Sequence, residues 1–370
     1  MKSFLLCVLG LIAASTTLPA QQVKQKAADH ELRGRCHAHF FFTAALAEED
    51  DKRRLALLTQ AIEQDPKLAR AFYNRGNIYA RQDKLALAQA DFQKAAELKD
   101  DYIHAHYNLA CILSLESRSD DALASLEQAL AKGYQKFDQI PTDSDFKGLT
   151  DKAAFARVIA KYRASNDPKR LSAVQKMQTS TAEQRATLLD DSIRNPGPHA
   201  MPLALWALQE PDYELRVLAV ALLRKLDRPE SKSALVCGLY DANGYVNKAA
   251  ANALLSYGKD VEGLMTWVLE DTWVLKDKDT HAAFYAMQVL AKTKSASAAA
   301  KIVPFLRDEN PQTRIMAAES LAALEAVAAL PAIEAALKNP PKDEREQGFY
   351  KAAIGRAIEH LRKVKKSGDK

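Results

Sequence analysis

The sequence predicts an all-α protein, a right-handed α-solenoid of helical hairpins in two blocks, and three observations carry that prediction. Its 370 residues are rich in Ala, Leu, Lys, Glu and Gln, which lose little side-chain entropy in a helix. Alternating β-branched runs are nearly absent, and 13 Gly with 14 Pro leave little room for a loop-rich or low-complexity chain. Apolar patterns also recur at steps of roughly thirty residues, the period of helix pairs that each bury a face only against their neighbours.

The first twenty residues stand apart. Lys2 is followed by an apolar run from Phe4 to Ala14 and then by Leu18-Pro19-Ala20 before Gln21, the pattern of a secretory signal peptide over residues 1–20. That run is far short of the roughly 20 residues a spanning helix needs. Cys7 follows Leu5 and Leu6 rather than a small residue, which argues against a lipid anchor. The mature chain is therefore expected in a periplasm or outside the cell, without membrane insertion. Its remaining cysteines, Cys36, Cys111 and Cys237, are odd in number and sit in helical apolar patterns. They read as buried small hydrophobes rather than a disulfide framework.

Charge excludes one class of partner. Residues 21–166 carry 22 basic and 21 acidic side chains, and 29 against 26 follow from Asp167 on, so neither half is a polyanion binder. The one basic cluster, Arg362, Lys363, Lys365, Lys366 and Lys370, reads as a solvated helix end with a short tail at 364–370.

The first block, 35–163, is organised by a 34-residue step. Ala71, Tyr73, Asn74, Gly76, Tyr79, Ala88, Phe92 and Ala95 recur as Ala105, Tyr107, Asn108, Ala110, Leu113, Ala122, Leu126 and Ala129. Stepping backward, Leu58 and Ala61 precede Phe92 and Ala95, so three units are present. Within a unit two apolar stripes flank a polar break at 82–84. Small residues at Gly76, Ala88 and Ala95 let two helices approach while Phe72, Tyr79, Leu85 and Phe92 fill the layers. The spacing of Gly76, Tyr79, Ala88, Phe92 and Ala95 resembles the tetratricopeptide repeat family. In the first unit an acidic interruption, Glu48 to Asp51, stands where the hairpin should turn. Behind the third, the run 137–162 resembles the closing segment that covers the last helix of such arrays.

Asn166-Asp167-Pro168 breaks the helical pattern and places a linker with one connecting helix at 164–197. The spacing of Ser180 and Glu183 predicts a capping box for a helix ending near Ile193. After Asn195-Pro196-Gly197-Pro198 a second array runs over 198–363. Leu215, Arg216, Ala219 and Leu223 recur as Val246, Asn247, Ala250 and Leu254, then Ala286 and Leu290, then Ala317 and Leu321, at steps of 31, 36 and 31. Pro202, Pro304 or Pro331 in a first helix, an acidic turn and an Arg in the second resemble HEAT-like repeats of the bacterial type. The resemblance implies an acid and arginine ladder, matched by Asp212 with Arg216 and by Asp308 with Arg314, whereas Asp241 faces Asn247. The pair carrying Trp267, Trp273 and His281 keeps little beyond apolar spacing, and a helix from Arg345 to Arg362 closes the array.

Catalytic and cofactor motifs are sparse. Cys36-His37-Ala38-His39 and His104-Ala105-His106 invite a zinc or copper site, but residues two apart on a helix point roughly 200° from one another and cannot share one ion. HEAT-like relatives include metal hydroxylases with repeated His-Glu pairs, and others that attach or detach bilins. Here the single His30-Glu31 pair precedes the first repeat. Nucleophile elbows, phosphate loops and Cys-x-x-Cys are missing. The sequence therefore points to a non-catalytic scaffold without cofactor or catalytic residues that binds a protein or peptide. The candidate partner-binding residues, on first helices facing the groove of the first block, are Arg70, Tyr73, Asn77, Arg81, His104, Tyr107 and Leu115. Tyr73 and Tyr107, one repeat apart and outside the expected core stripe, are the expected anchors, since aromatic and Arg side chains dominate interfaces.

Overall fold

The computed structural model describes residues 20–149, 152–164, 171–271 and 281–368, all helix, turn and loop with no strand among them. The leader up to Pro19, the break at Asn166-Asp167-Pro168, Trp273 and Lys370 lie outside the described residues. The chain is an all-α solenoid of paired helices.

Six helices build the first array in three hairpins: α1 (Ala20–Ala47) with α2 (Asp51–Gln64), α3 (Ala69–Arg81) with α4 (Leu85–Leu98), and α5 (Ile103–Leu115) with α6 (Ser119–Ala131). The acidic interruption of the first unit is its helix cap. Asp50 accepts from the Arg53 amide at 2.8 Å and satisfies an orphan donor at the start of α2. Gly76 sits where a Cβ would stand 2.9 Å from the Phe92 ring, and Gly34 where it would stand 2.5 Å from the carbonyl oxygen of Gln64. Both positions are therefore set by helix crossing distance.

Two short 3₁₀ turns, Ile140–Thr142 and Ser144–Phe146, precede α7 (Lys152–Ala164), which packs on α6. The connecting region holds two helices, where the sequence suggested one. In α8 (Ala173–Thr179), Ser172 and Gln175 form a capping box. In α9 (Ala182–Arg194), the box is Thr181 with Gln184, one residue beyond the Ser180 and Glu183 expected, and Ser180 instead ends α8.

The second array has two layers. The inner layer stacks α9, α11 (Tyr213–Leu226), α13 (Gly244–Leu255), α15 (His281–Lys292), α17 (Pro311–Ala323) and α19 (Glu344–Gly368), each against the next. The outer layer comprises α10 (Ala200–Ala207), α12 (Pro229–Gly238), α14 (Glu262–Glu270), α16 (Ala299–Ile302) with its 3₁₀ extension, and α18 (Leu330–Leu337). The helix α19 carries most of the basic tail. No described helix is long and apolar enough to cross a membrane.

The blocks do not sit end to end. α1 packs on α12, and α8 packs on both α5 and α10. One continuous core holds Cys36, Ala69, Phe72 and Tyr102 of the first array together with Leu203, Trp206 and Cys237 of the second.

Candidate protein-binding surfaces

Four of the seven residues expected to face a free groove are engaged inside the molecule, among them Tyr73 and Tyr107, the two expected anchors, so the open face expected of them is not what the structure shows. Arg70 is buried and donates to the Trp206 carbonyl at 3.2 Å and to Glu210 Oε1 at 3.0 Å, its guanidinium 4.8 Å above the Trp206 ring. Tyr73 packs 4.8 Å from the Tyr102 ring, and burial raises its phenol pKa. His104 bonds the Gln178 carbonyl at 2.9 Å, and burial lowers its pKa toward the neutral imidazole. Tyr107, 7% exposed, donates to Asp143 Oδ2 at 2.6 Å and stacks on Tyr134 at 4.1 Å, so it belongs to the core it was expected to avoid.

Asn77 is half-buried and accepts from Asn108 at 2.8 Å, Arg81 is exposed and pairs with Asp51 at 2.9 Å, and Leu115 is exposed. The physical reason is occupancy. The turns at 140–146 fold back onto α5, while α8 and Trp206 of α10 close over the N-terminal ends of α3 and α5. Gln178 accepts from the Ile103 amide and donates to the Asp101 carbonyl, both near 2.9 Å, and so caps α5 from outside. Periodicity identifies a helix face but not what covers it.

The two arrays meet along a ladder of buried acids. Glu210, Asp241 and Asp271 stand at the same turn of successive HEAT-like repeats. Glu210 lies between Arg70 and Arg185 of α9, at 3.0 and 2.7 Å. Asp241 receives a two-pronged Arg216 at 2.9 and 3.0 Å and His39 at 2.9 Å. Asp271 bonds His37 at 2.7 Å and the Tyr240 hydroxyl at 3.0 Å, and forms an ion pair with Arg33 at 3.3 Å. Burial works to raise the Asp241 carboxyl, but His39 and Arg216 outweigh it and hold the group below its usual range.

The expected pairing of Asp212 with Arg216 is thereby corrected. Asp212 caps α11 through the Glu214 amide, and Arg216 reaches the acid one repeat further on while bonding the Glu210 and Pro211 carbonyls. Arg314 does the same to the carbonyls of Asp308 and Glu309 rather than to the Asp308 carboxylate, and Asn247 binds three carbonyls of its turn. A guanidinium or amide at this place closes the turn by satisfying its backbone.

His37 and His39 thus engage carboxylates of different repeats instead of converging, and His104 and His106 bond the carbonyls of Gln178 and Asp100. Among the described residues one group of metal-ligating type converges, Cys111 with Asp143 and Asp145. Its Asp143 already accepts from Tyr107 and from the Asp145 amide, and burial raises both the Cys111 thiol and the Asp145 carboxyl. Such a group closes the segment 140–149 onto α5. Cys36 lies beside Cys237 in the interface, and burial raises its thiol far above the usual range.

Among the described residues the inner layer is open at its first three helices. Between α9, α11 and α13 runs a groove of about 590 Å³ floored by Ala186, Val217 and Leu218, with Glu183 and Glu214 on its rim. Tyr213 and Tyr245 stand over it, 38% and 69% exposed, their rings stacked 5.6 Å apart at 23°. Past Val217 the same face continues toward Ala221, Arg224 and Lys225. Nothing in the sequence pattern singled out these tyrosines. The available signal was two aromatics in near-corresponding places just after the acidic turns.

Comparison with known proteins supports both repeat readings. A tetratricopeptide repeat model matches residues 57–90, and a HEAT repeat model matches residues 268–353. The chain thus carries a stretch that matches tetratricopeptide repeats in its first half and one that matches HEAT repeats in its second. A crystal structure of the P58(IPK) tetratricopeptide domain is 18% identical, with a TM-score of 0.27 over 89% of this chain and 97% of that one. No curated protein matches the sequence.

Proposed function

We propose that the chain is a non-catalytic protein-interaction scaffold of the cell envelope that holds an extended partner segment on the open α9–α11–α13 face of its HEAT-like array. The carrying observation is the contrast between two faces. On the tetratricopeptide side, Arg70, His104 and Tyr107 are engaged by α10 with its following turn, α8 and the segment 140–149, and Tyr73 packs on Tyr102 and Phe92. On the HEAT-like side, an apolar groove of about 590 Å³ carries two large exposed aromatics. Exposed apolar surface with an aromatic rim is the kind that marks an interaction site. Arg81 and Leu115 remain as secondary contacts at the far end of the first array.

The envelope location rests on the leader pattern at 1–20, and its test is the amino terminus of the protein recovered from an envelope fraction, expected at Gln21. Binding is tested by placing a photocrosslinking residue at Val217 in the groove floor and, separately, at Arg81. Adducts forming at Val217 and not at Arg81 support the reading. Adducts concentrated at Arg81 would return the surface to the first array.

A further inference from the structure

Resting on that reading, we infer that the Tyr213–Tyr245 shelf takes a cationic side chain of the bound segment, arginine in preference to lysine. The two tyrosines sit at the N-terminal ends of neighbouring helices, and their stacked rings both reach solvent, Tyr245 at 69% exposed and Tyr213 at 38%. All three charged residues lining this end of the groove, Glu183, Asp212 and Glu214, are acidic. The Tyr213 phenol senses that charge, its pKa raised by the neighbouring Glu214 carboxylate.

A guanidinium laid on the outer face of the pair meets the ring quadrupole and the carboxylates together, and its planar fork can stack and donate at once. An acidic side chain would be repelled here and drawn instead to the opposite end of the face, where Arg224 and Lys225 outnumber Asp227. The groove is therefore polarised, and its aromatic end selects positive charge.

The test is fluorescence anisotropy of the full chain with a labelled arginine–glycine copeptide, beside lysine–glycine and glutamate–glycine versions. Wild type should bind the arginine probe most tightly and the glutamate probe least. The double variant Tyr213→Ala/Tyr245→Ala should lose about tenfold in affinity, and Glu183→Gln/Glu214→Gln a similar factor. Equal binding of the arginine probe by wild type and the double alanine variant would overturn the inference, as would a glutamate probe bound equally well. A concentration-dependent dimer that Tyr245→Ala dissociates would overturn it in favour of self-association. The two levels separate in the Val217 crosslink. Adducts that survive the alanine variants and map to segments lacking Arg and Lys keep the binding reading and reject the cation. No adduct at Val217 rejects the binding reading itself.

Discussion

The two arrays are built from the same unit, a pair of antiparallel helices, yet they use their polar residues in opposite ways. The tetratricopeptide array turns Arg33, His37, His39 and Arg70 toward the second array, where Asp271, Asp241 and Glu210 receive them. The HEAT-like array spends its turn acids on that contact and leaves its inner helices open over the α9–α11–α13 groove. A groove is thus not free because its family uses it. It is free only where no neighbouring element has been folded into it.

The largest effect should come from breaking the ladder. Asp241→Ala leaves Arg216 and His39 buried without their shared acceptor, and loss of one partner of a buried pair costs about 3–5 kcal/mol. A chemical-denaturation curve should show that loss, together with faster proteolysis of α1. A change under about 1 kcal/mol would mean that Asp241 does not hold the arrays together.

Next in size is the closed groove. Tyr107→Ala should cost about 3–4 kcal/mol as a buried aromatic truncation, while Tyr107→Phe, losing only the bond to Asp143, should cost about 1 kcal/mol. Equal losses for the two would show that the ring stacking on Tyr134 contributes nothing.

Gly34→Ala tests the hairpin that carries the ladder's basic residues. Its Cβ would press on the Gln64 carbonyl, and overpacking of this kind costs about 1–3 kcal/mol. A neutral thermal shift would show that α1 and α2 can separate at no cost.

Acid should act through the same ladder. Asp241 has a folded pKa held below its unfolded value, so its stabilisation is present above the ordinary aspartate pKa of about 3.9 and is lost as pH falls through the lower folded value. Wild type should therefore lose its advantage over Asp241→Asn between neutral pH and the acid range. Parallel denaturation midpoints across that range would remove Asp241 as the cause. The smallest effect belongs to the open face, where Tyr245→Ala, at a residue 69% exposed, should alter stability by no more than about 0.5 kcal/mol. A large loss there would make the shelf part of the core.

Much of this molecule was legible beforehand. The helical hairpins followed from apolar spacing, and the tight units from small residues at Gly76, Ala88 and Ala95, because nearest-neighbour packing in a solenoid is written into each repeat. The acidic turns were visible too, as was the argument that His37 and His39 cannot share an ion. What periodicity could not supply was the partner of each outward residue. Tyr107 carries the same pattern whether solvent or the turns at 140–146 lie above it, and Arg216 whether its acid is Asp212 or Asp241. Those choices depend on contacts across 25 to 234 positions of sequence. Tertiary structure made them, because burying Arg70 and His37 is tolerable only where Glu210 and Asp271 wait unsolvated on the other array.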